Sequence, residues 1–146
     1  MATTLESLPV LGDLIKMELD HRYCRVGVKP AQLTTALDPP PVSVLGFPVA
    51  IAANGSMTVL QAGGEAQCNG LVLDQRRVQE TTWAEFITRV RGIAVMNQGP
   101  AIVNRAALPT LDHASVVFDV DAIVAALAVV GIKVIDEHTQ QNIQTT

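Results

Sequence analysis

Aromatic residues are scarce: one Trp, one Tyr and three Phe make up 3% of the 146 residues. A chain so poor in rings lacks the stacking platforms that single-stranded nucleic acid requires. Charge is scarce too. Asp, Glu, Lys and Arg amount to 16%, where soluble proteins carry roughly 25%. Ten basic residues face fourteen acidic ones, for a net charge of −4. Neutralising phosphates takes clustered Lys and Arg, so direct binding of nucleic acid is not expected. The nearest approach to a cluster is Arg76, Arg77, Arg89 and Arg91, offset by Asp74, Glu80 and Glu85, and it reads as solvated surface. Two cysteines, Cys24 and Cys68, are too few for a disulfide scaffold. The N-terminus lacks the basic start and apolar stretch of a signal peptide, so reduced thiols and intracellular synthesis are expected. No run of about 20 apolar residues suited to a membrane span exists. The longest uncharged stretch, residues 39–64, is broken by Pro40, Pro41, Gly46, Pro48, Asn54 and Gly55.

What is abundant is aliphatic: 49% of the chain is apolar, mostly Ala, Val, Leu and Ile. That excludes a disordered polymer and suffices for the core of one domain, with or without an arm. Residues 9–28 stand apart, because positions 13–25 alone hold Asp13, Lys16, Glu18, Asp20, Arg22 and Arg25. Leu11, Leu14, Ile15 and Leu19 fit one helical stripe, yet Ile15, Met17 and Leu19 alternate with Lys16 and Glu18 as in a strand. Periodicity does not decide between them. Pro30, Thr34, Thr35 and the prolines 39, 40 and 41 then read as an extended linker. The expectation is an arm and linker over 1–41, a domain over 42–136 and a flexible polar tail over 137–146.

Within the domain, Asn54-Gly55 marks a tight turn between an apolar stretch at 42–53 and a short strand at 56–60. Further strands are expected at 70–73, 93–96 and 101–103. Phe86, Thr88 and Val90 alternate with Ile87, Arg89 and Arg91. Val120, Ile123, Val124 and Leu127 recur at helical spacing, with Asp119 to cap the start and Gly131 to end the helix. Residues 132–135 close the pattern as a strand. The fold class is α+β: a small β-rich domain with one C-terminal helix, preceded by an extended N-terminal arm.

The residues that could carry chemistry fit structural roles. His21 and Cys24 form a single H-x-x-C pair where structural zinc sites show two tight pairs. Asp112, His113 and Ser115 supply the residue types of a catalytic triad, but a loop leading into a helix uses the same residues as caps and turn formers. Gly63-Gly64 lacks the Lys-Ser/Thr of a phosphate loop. Asp119 and Asp121 sit where a helix dipole favours them. Neither cofactor nor metal is expected. A charge-poor domain tends to be covered by a partner or by its own copies, and an extended arm with alternating apolar residues suits strand addition.

Three stretches resemble one family. Residues 11–25 (LGDLIKMELDHRYCR), 99–108 (GPAIVNRAAL) and 127–134 (LAVVGIKV) resemble, in that order, the lambda-type bacteriophage head decoration proteins. The resemblance implies a β-rich domain that forms homotrimers on the outer surface of an expanded capsid. Such trimers clamp neighbouring major capsid protein subunits, without enzymatic activity or cofactor. The protein would be made in the host cytoplasm and end in the virion, with no membrane and no nucleic acid as partner. Leu11, Leu14, Ile15, Met17, Leu19 and Tyr23 are then the candidate capsid-binding residues, on an arm that orders only on the shell. The alternative is a small trimeric β-rich enzyme resembling dUTP pyrophosphatase. It would need a Gly-rich phosphate-binding tail, and residues 138–146 contain no glycine.

Overall fold

Antiparallel pairing dominates the computed structural model, which describes residues 11–33, 37–38 and 40–136. A five-stranded sheet has the order β2-β6-β5-β3-β4, with β2 Arg25–Val28, β3 Pro48–Ile51, β4 Met57–Val59, β5 Gly70–Val72 and β6 Ile93–Met96. A three-stranded sheet has the order β1-β7-β8, with β1 Ile15–Glu18, β7 Ala101–Asn104 and β8 Ile132–Ile135. Two one-turn helices, α1 Leu11–Leu14 and α2 His21–Cys24, each lead into a strand, and two longer ones follow, α3 Trp83–Val90 and α4 Val120–Val129.

The β3–β4 hairpin forms where the turn chemistry demands it. Gly55 takes φ +89°, Asn54 Oδ1 accepts from the Ser56 N–H, and the Ala52 N–H donates to the Ser56 carbonyl. Met57 and Val59 then point inward and Thr58 outward, the period of a half-buried strand. At the other end of the chain, the Asp119 carboxylate accepts from the Ala122 N–H to start α4. Gly131 turns the chain at φ +85°, and β8 returns parallel to β7. A parallel neighbour requires such a crossover.

The α+β class holds, and most expected strands lie where the pattern placed them. Two differences are physical. First, residues 83–90 are a helix rather than an alternating strand-like run. Trp83, Phe86, Ile87 and Val90 fall at i, i+3, i+4 and i+7 and are all buried. Thr82 caps the helix, its hydroxyl accepting from the Glu85 N–H and donating to the Glu85 carboxylate. This cap selects the helix where the apolar pattern alone is ambiguous.

Second, residues 11–28 do not stand apart from the domain. They run as two short strands, and those strands complete both sheets: β1 pairs antiparallel with β7 and β2 with β6. Leu14 and Cys24 are fully buried. The 29–38 stretch is not bare linker either, because Leu33 bridges Met57 and Leu37 is fully buried. Prolines break local hydrogen bonding but do not forbid the chain from returning to a sheet edge, where unpaired backbone groups await a partner. The expected separation at 41 therefore gives way to one shared core. The tail expected to be flexible, 137–146, falls outside the described residues, as do the first ten residues, residues 34–36 and Pro39. Leu14→Ala should lower the stability by about 3 kcal/mol in urea unfolding followed by circular dichroism. A loss below about 0.5 kcal/mol, the surface range, would show that this segment is not part of the core.

Candidate interaction surface

The six candidate residues divide by side. Leu14 is fully buried, and Leu11 and Ile15 pack half-buried against the core. Met17, Leu19 and Tyr23 are exposed by 41%, 67% and 55%, large values for apolar side chains in a chain with so few rings. Val26, which the sequence did not single out, is exposed beside them in the chain. β1 and β2 are edge strands of their sheets, so among the described residues nothing pairs with their outer edges.

The corner between these strands is braced. Arg25 donates from Nε and Nη2 to the two carboxylate oxygens of Glu18 at 2.9 and 2.8 Å. This charge-assisted fork joins the end of β1 to the start of β2, and the Glu18 carboxylate holds the Arg25 guanidinium more firmly protonated, against its partial burial. The Leu19 N–H donates to the Pro100 carbonyl at 3.0 Å and the Asn97 N–H to the Cys24 carbonyl at 2.9 Å. Gln98 Nε2 donates to the Tyr23 carbonyl at 2.8 Å. Residues 19–24 are thus tied to the turn at 97–100, and Leu19 and Tyr23 project from a fixed backbone. Free strand edges carrying exposed apolar side chains can take an added strand from another protein.

The chemistry-bearing residues are occupied structurally. Asp112 Oδ1 accepts from the Ala114 and Val116 N–H groups, both at 2.9 Å. Its Oδ2 accepts from the Ala62 N–H at 3.0 Å. The carboxylate spends itself on backbone, and His113 Nδ1, buried, has no hydrogen-bond partner, so no Asp–His relay is built. Ser115 sits in the turn at φ +66°. Both cysteines are buried and free. Cys68 Sγ contacts the Gly70 carbonyl, and burial pushes its thiol upward, away from the reactive thiolate. Among the described residues, no group of three or more His, Cys, Asp and Glu side chains could hold a metal ion.

A buried acid carries no comparable signal in the sequence. Glu65, in the Gly-rich loop, is buried and accepts from the Gly63 N–H and from the Asp119 N–H at the start of α4, both at 2.8 Å. The Asp119 N–H is the largest influence holding its carboxyl below the usual range, with the loop N–H groups adding to it, against burial and the charge of Asp112. Its only signal in the sequence was a lone acid directly after Gly63-Gly64, a position open to many roles. No protein-family model, no curated protein and no solved structure matches the chain.

Proposed function

We propose that this chain is a structural capsid decoration protein of the lambda-type bacteriophage kind. In this reading it binds the outer surface of an expanded head as a homotrimer, contacts the major capsid protein and stabilises the shell against the pressure of the packaged DNA. One observation carries the proposal. The three stretches that resemble that family, 11–25, 99–108 and 127–134, lie far apart in the chain, yet they contain β1, β7 and most of β8, which together are the three-stranded sheet. A chance likeness in three separate places has no reason to converge on one sheet.

The contact in this reading is the braced corner, with Met17, Leu19 and Tyr23 outward and the edges of β1 and β2 open. It replaces the picture of an arm that orders on binding: the corner is already in place, so docking pays little ordering entropy. Stabilisation of the shell follows from mass action, because a protein that binds the intact lattice and not its separated subunits shifts the equilibrium toward the lattice.

Co-sedimentation with purified expanded heads lacking decoration tests the reading. The full chain should pellet with the shells and raise their resistance to heat. Combining Leu19→Ser and Tyr23→Ser should weaken that binding at least tenfold, which is about 1.4 kcal/mol, with the thermal unfolding of the free protein unchanged. Failure of the wild-type chain to pellet would sink the decoration reading. Undiminished binding of the double variant would move the contact away from this corner.

A further inference from the structure

Between residues 21 and 37 the chain holds Arg22, Arg25 and Lys29 and no acid, although its net charge is −4. The turn from α3 into β6 adds a further cation. Arg91 takes a left-handed backbone there, at φ 60°, and its N–H donates to the Ile87 carbonyl at 3.0 Å. Gly92 follows so close to β2 that a Cβ on it would lie 2.5 Å from the Val28 carbonyl oxygen and 3.4 Å from Lys29 Cα. The fold thus sets the Arg91 turn against Lys29, and both cations are exposed. Neither enters an ion pair among the described residues, whereas Arg25 is taken by Glu18 and Arg76 by Asp74.

Lys29 and Arg91 line a recess of about 250 Å³ together with Gly27, Gly92 and Ala94. Gly27 faces Ala94 in the β2–β6 register, and both are exposed. A Cβ on Gly27 would meet nothing within 4 Å, and no positive φ calls for glycine at this position. A strand glycine without such a requirement marks a place where another backbone or a ligand comes close. The Ala94 carbonyl is occupied by the Leu73 N–H. By the alternation of an antiparallel ladder, Gly27 opposite it turns its own N–H and carbonyl away from β6, to the open edge.

We propose that β2 takes an acidic extended segment of a protein partner as an added strand, with an Asp or Glu side chain of that segment lying across Gly27 between Lys29 and Arg91. A residue paired with Gly27 over the open edge puts its side chain on the same face of the sheet. Gly27 has no side chain to bar it, and the space above is open. The main chain of β2 supplies the pairing, and the two cations supply the choice of an acid over a neutral residue. Two cations are too few to hold a nucleic-acid backbone. The inference deepens the docking reading of the β1–β2 corner and rests on it only for which protein carries the segment.

Titration of the isolated full chain with an end-blocked peptide of alternating valine and glutamate, followed by amide NMR, tests this without any capsid. Millimolar peptide should shift the amides of residues 25–29, and the shifts should shrink as salt rises. The same peptide with glutamine in place of glutamate should leave them where they are. Gly27→Val puts a side chain where it meets nothing in the free protein. It should keep the wild-type thermal unfolding and lose about tenfold or more in peptide affinity. Lys29→Gln combined with Arg91→Gln should lose as much. A wild-type chain that does not respond overturns the proposal, as do equal binding of the glutamine peptide and wild-type affinity in either variant. Pelleting with phage heads enters none of these results, so the decoration reading can fail while this one stands, and the reverse.

Discussion

Gly99→Ala is expected to cost about 5 kcal/mol or more, at the far end of single-substitution effects, and to leave most of the chain unfolded or insoluble. The reason is a close approach of backbone to backbone. A Cβ on Gly99 would lie 1.8 Å from the Gly131 carbonyl oxygen and 2.4 Å from its carbon. Neither atom is the tip of a flexible side chain. Both belong to the turn that carries α4 into β8, and the Gly99 N–H donates to the Val130 carbonyl there at 2.8 Å. Relieving the overlap means pulling the start of β7 away from the start of β8, which undoes the Ala101–Ile132 end of their parallel register. Expression, solubility and urea unfolding of the variant provide the check. A variant that stays soluble and loses under about 1 kcal/mol would show that the two turns separate without harm to the sheet.

The second large effect is acid loosening of the 111–119 segment through Asp112 and Glu65. Burial pushes Asp112 upward, but the N–H groups of Val116, Ala62 and Ala114 and the neighbouring His113 together outweigh it and hold the carboxyl below its usual range. Glu65 is also held low, chiefly by the Asp119 N–H. For a group whose folded pKa is depressed, the unfolded chain binds the proton first. Its contribution to stability is therefore present above the ordinary carboxylate range, about pH 4, and is lost as pH falls through the lower folded value. Unfolding free energy should fall steeply below about pH 4. Asp112→Asn should flatten that slope, since one of the carboxylates held low, with Glu65 and the Arg89-paired Glu80, is gone. Asp112→Ala should cost on the order of 4 kcal/mol at neutral pH, because three backbone N–H groups lose their acceptor together. Urea unfolding across an acid pH series decides it. An Asp112→Asn slope equal to the wild-type slope would remove Asp112 from the account.

Asp112 stiffens the 111–117 hairpin, which the Leu111–Val117 bridge closes, and Glu65 joins the 61–67 loop to the start of α4. The substitutions that break this clasp are distinct from Leu19→Ser and Tyr23→Ser at the β1–β2 corner, so loss of the clasp and loss of shell binding are separable in the laboratory.

Much of this molecule was determined locally. Asn54-Gly55 places the β3–β4 turn because few other pairs accept its backbone angles. Asp119 and Gly131 bound α4, since an N-cap acceptor and a left-handed turn are local requirements. The scarcity of charge and the absence of any phosphate loop or paired metal ligands are likewise properties of the residues themselves. The position of residues 11–28 was not legible there. Ile15 meets Val103 and Arg25 meets Met96, and a sheet bond between distant segments leaves no trace in the periodicity of either one. The same holds for the division of the candidate residues into buried Leu14 and exposed Met17, Leu19 and Tyr23: alternation says that neighbours face opposite ways, and only the packed sheet says which way is in. α3 lay between these cases, its apolar residues compatible with either period until Trp83 and Phe86 were buried and Thr82 capped it. Glu65 and Asp112 took their meaning entirely from the tertiary structure. Any acid can sit in a loop, but only a fold that brings 61–67 against 111–119 turns two of them into acceptors for buried backbone.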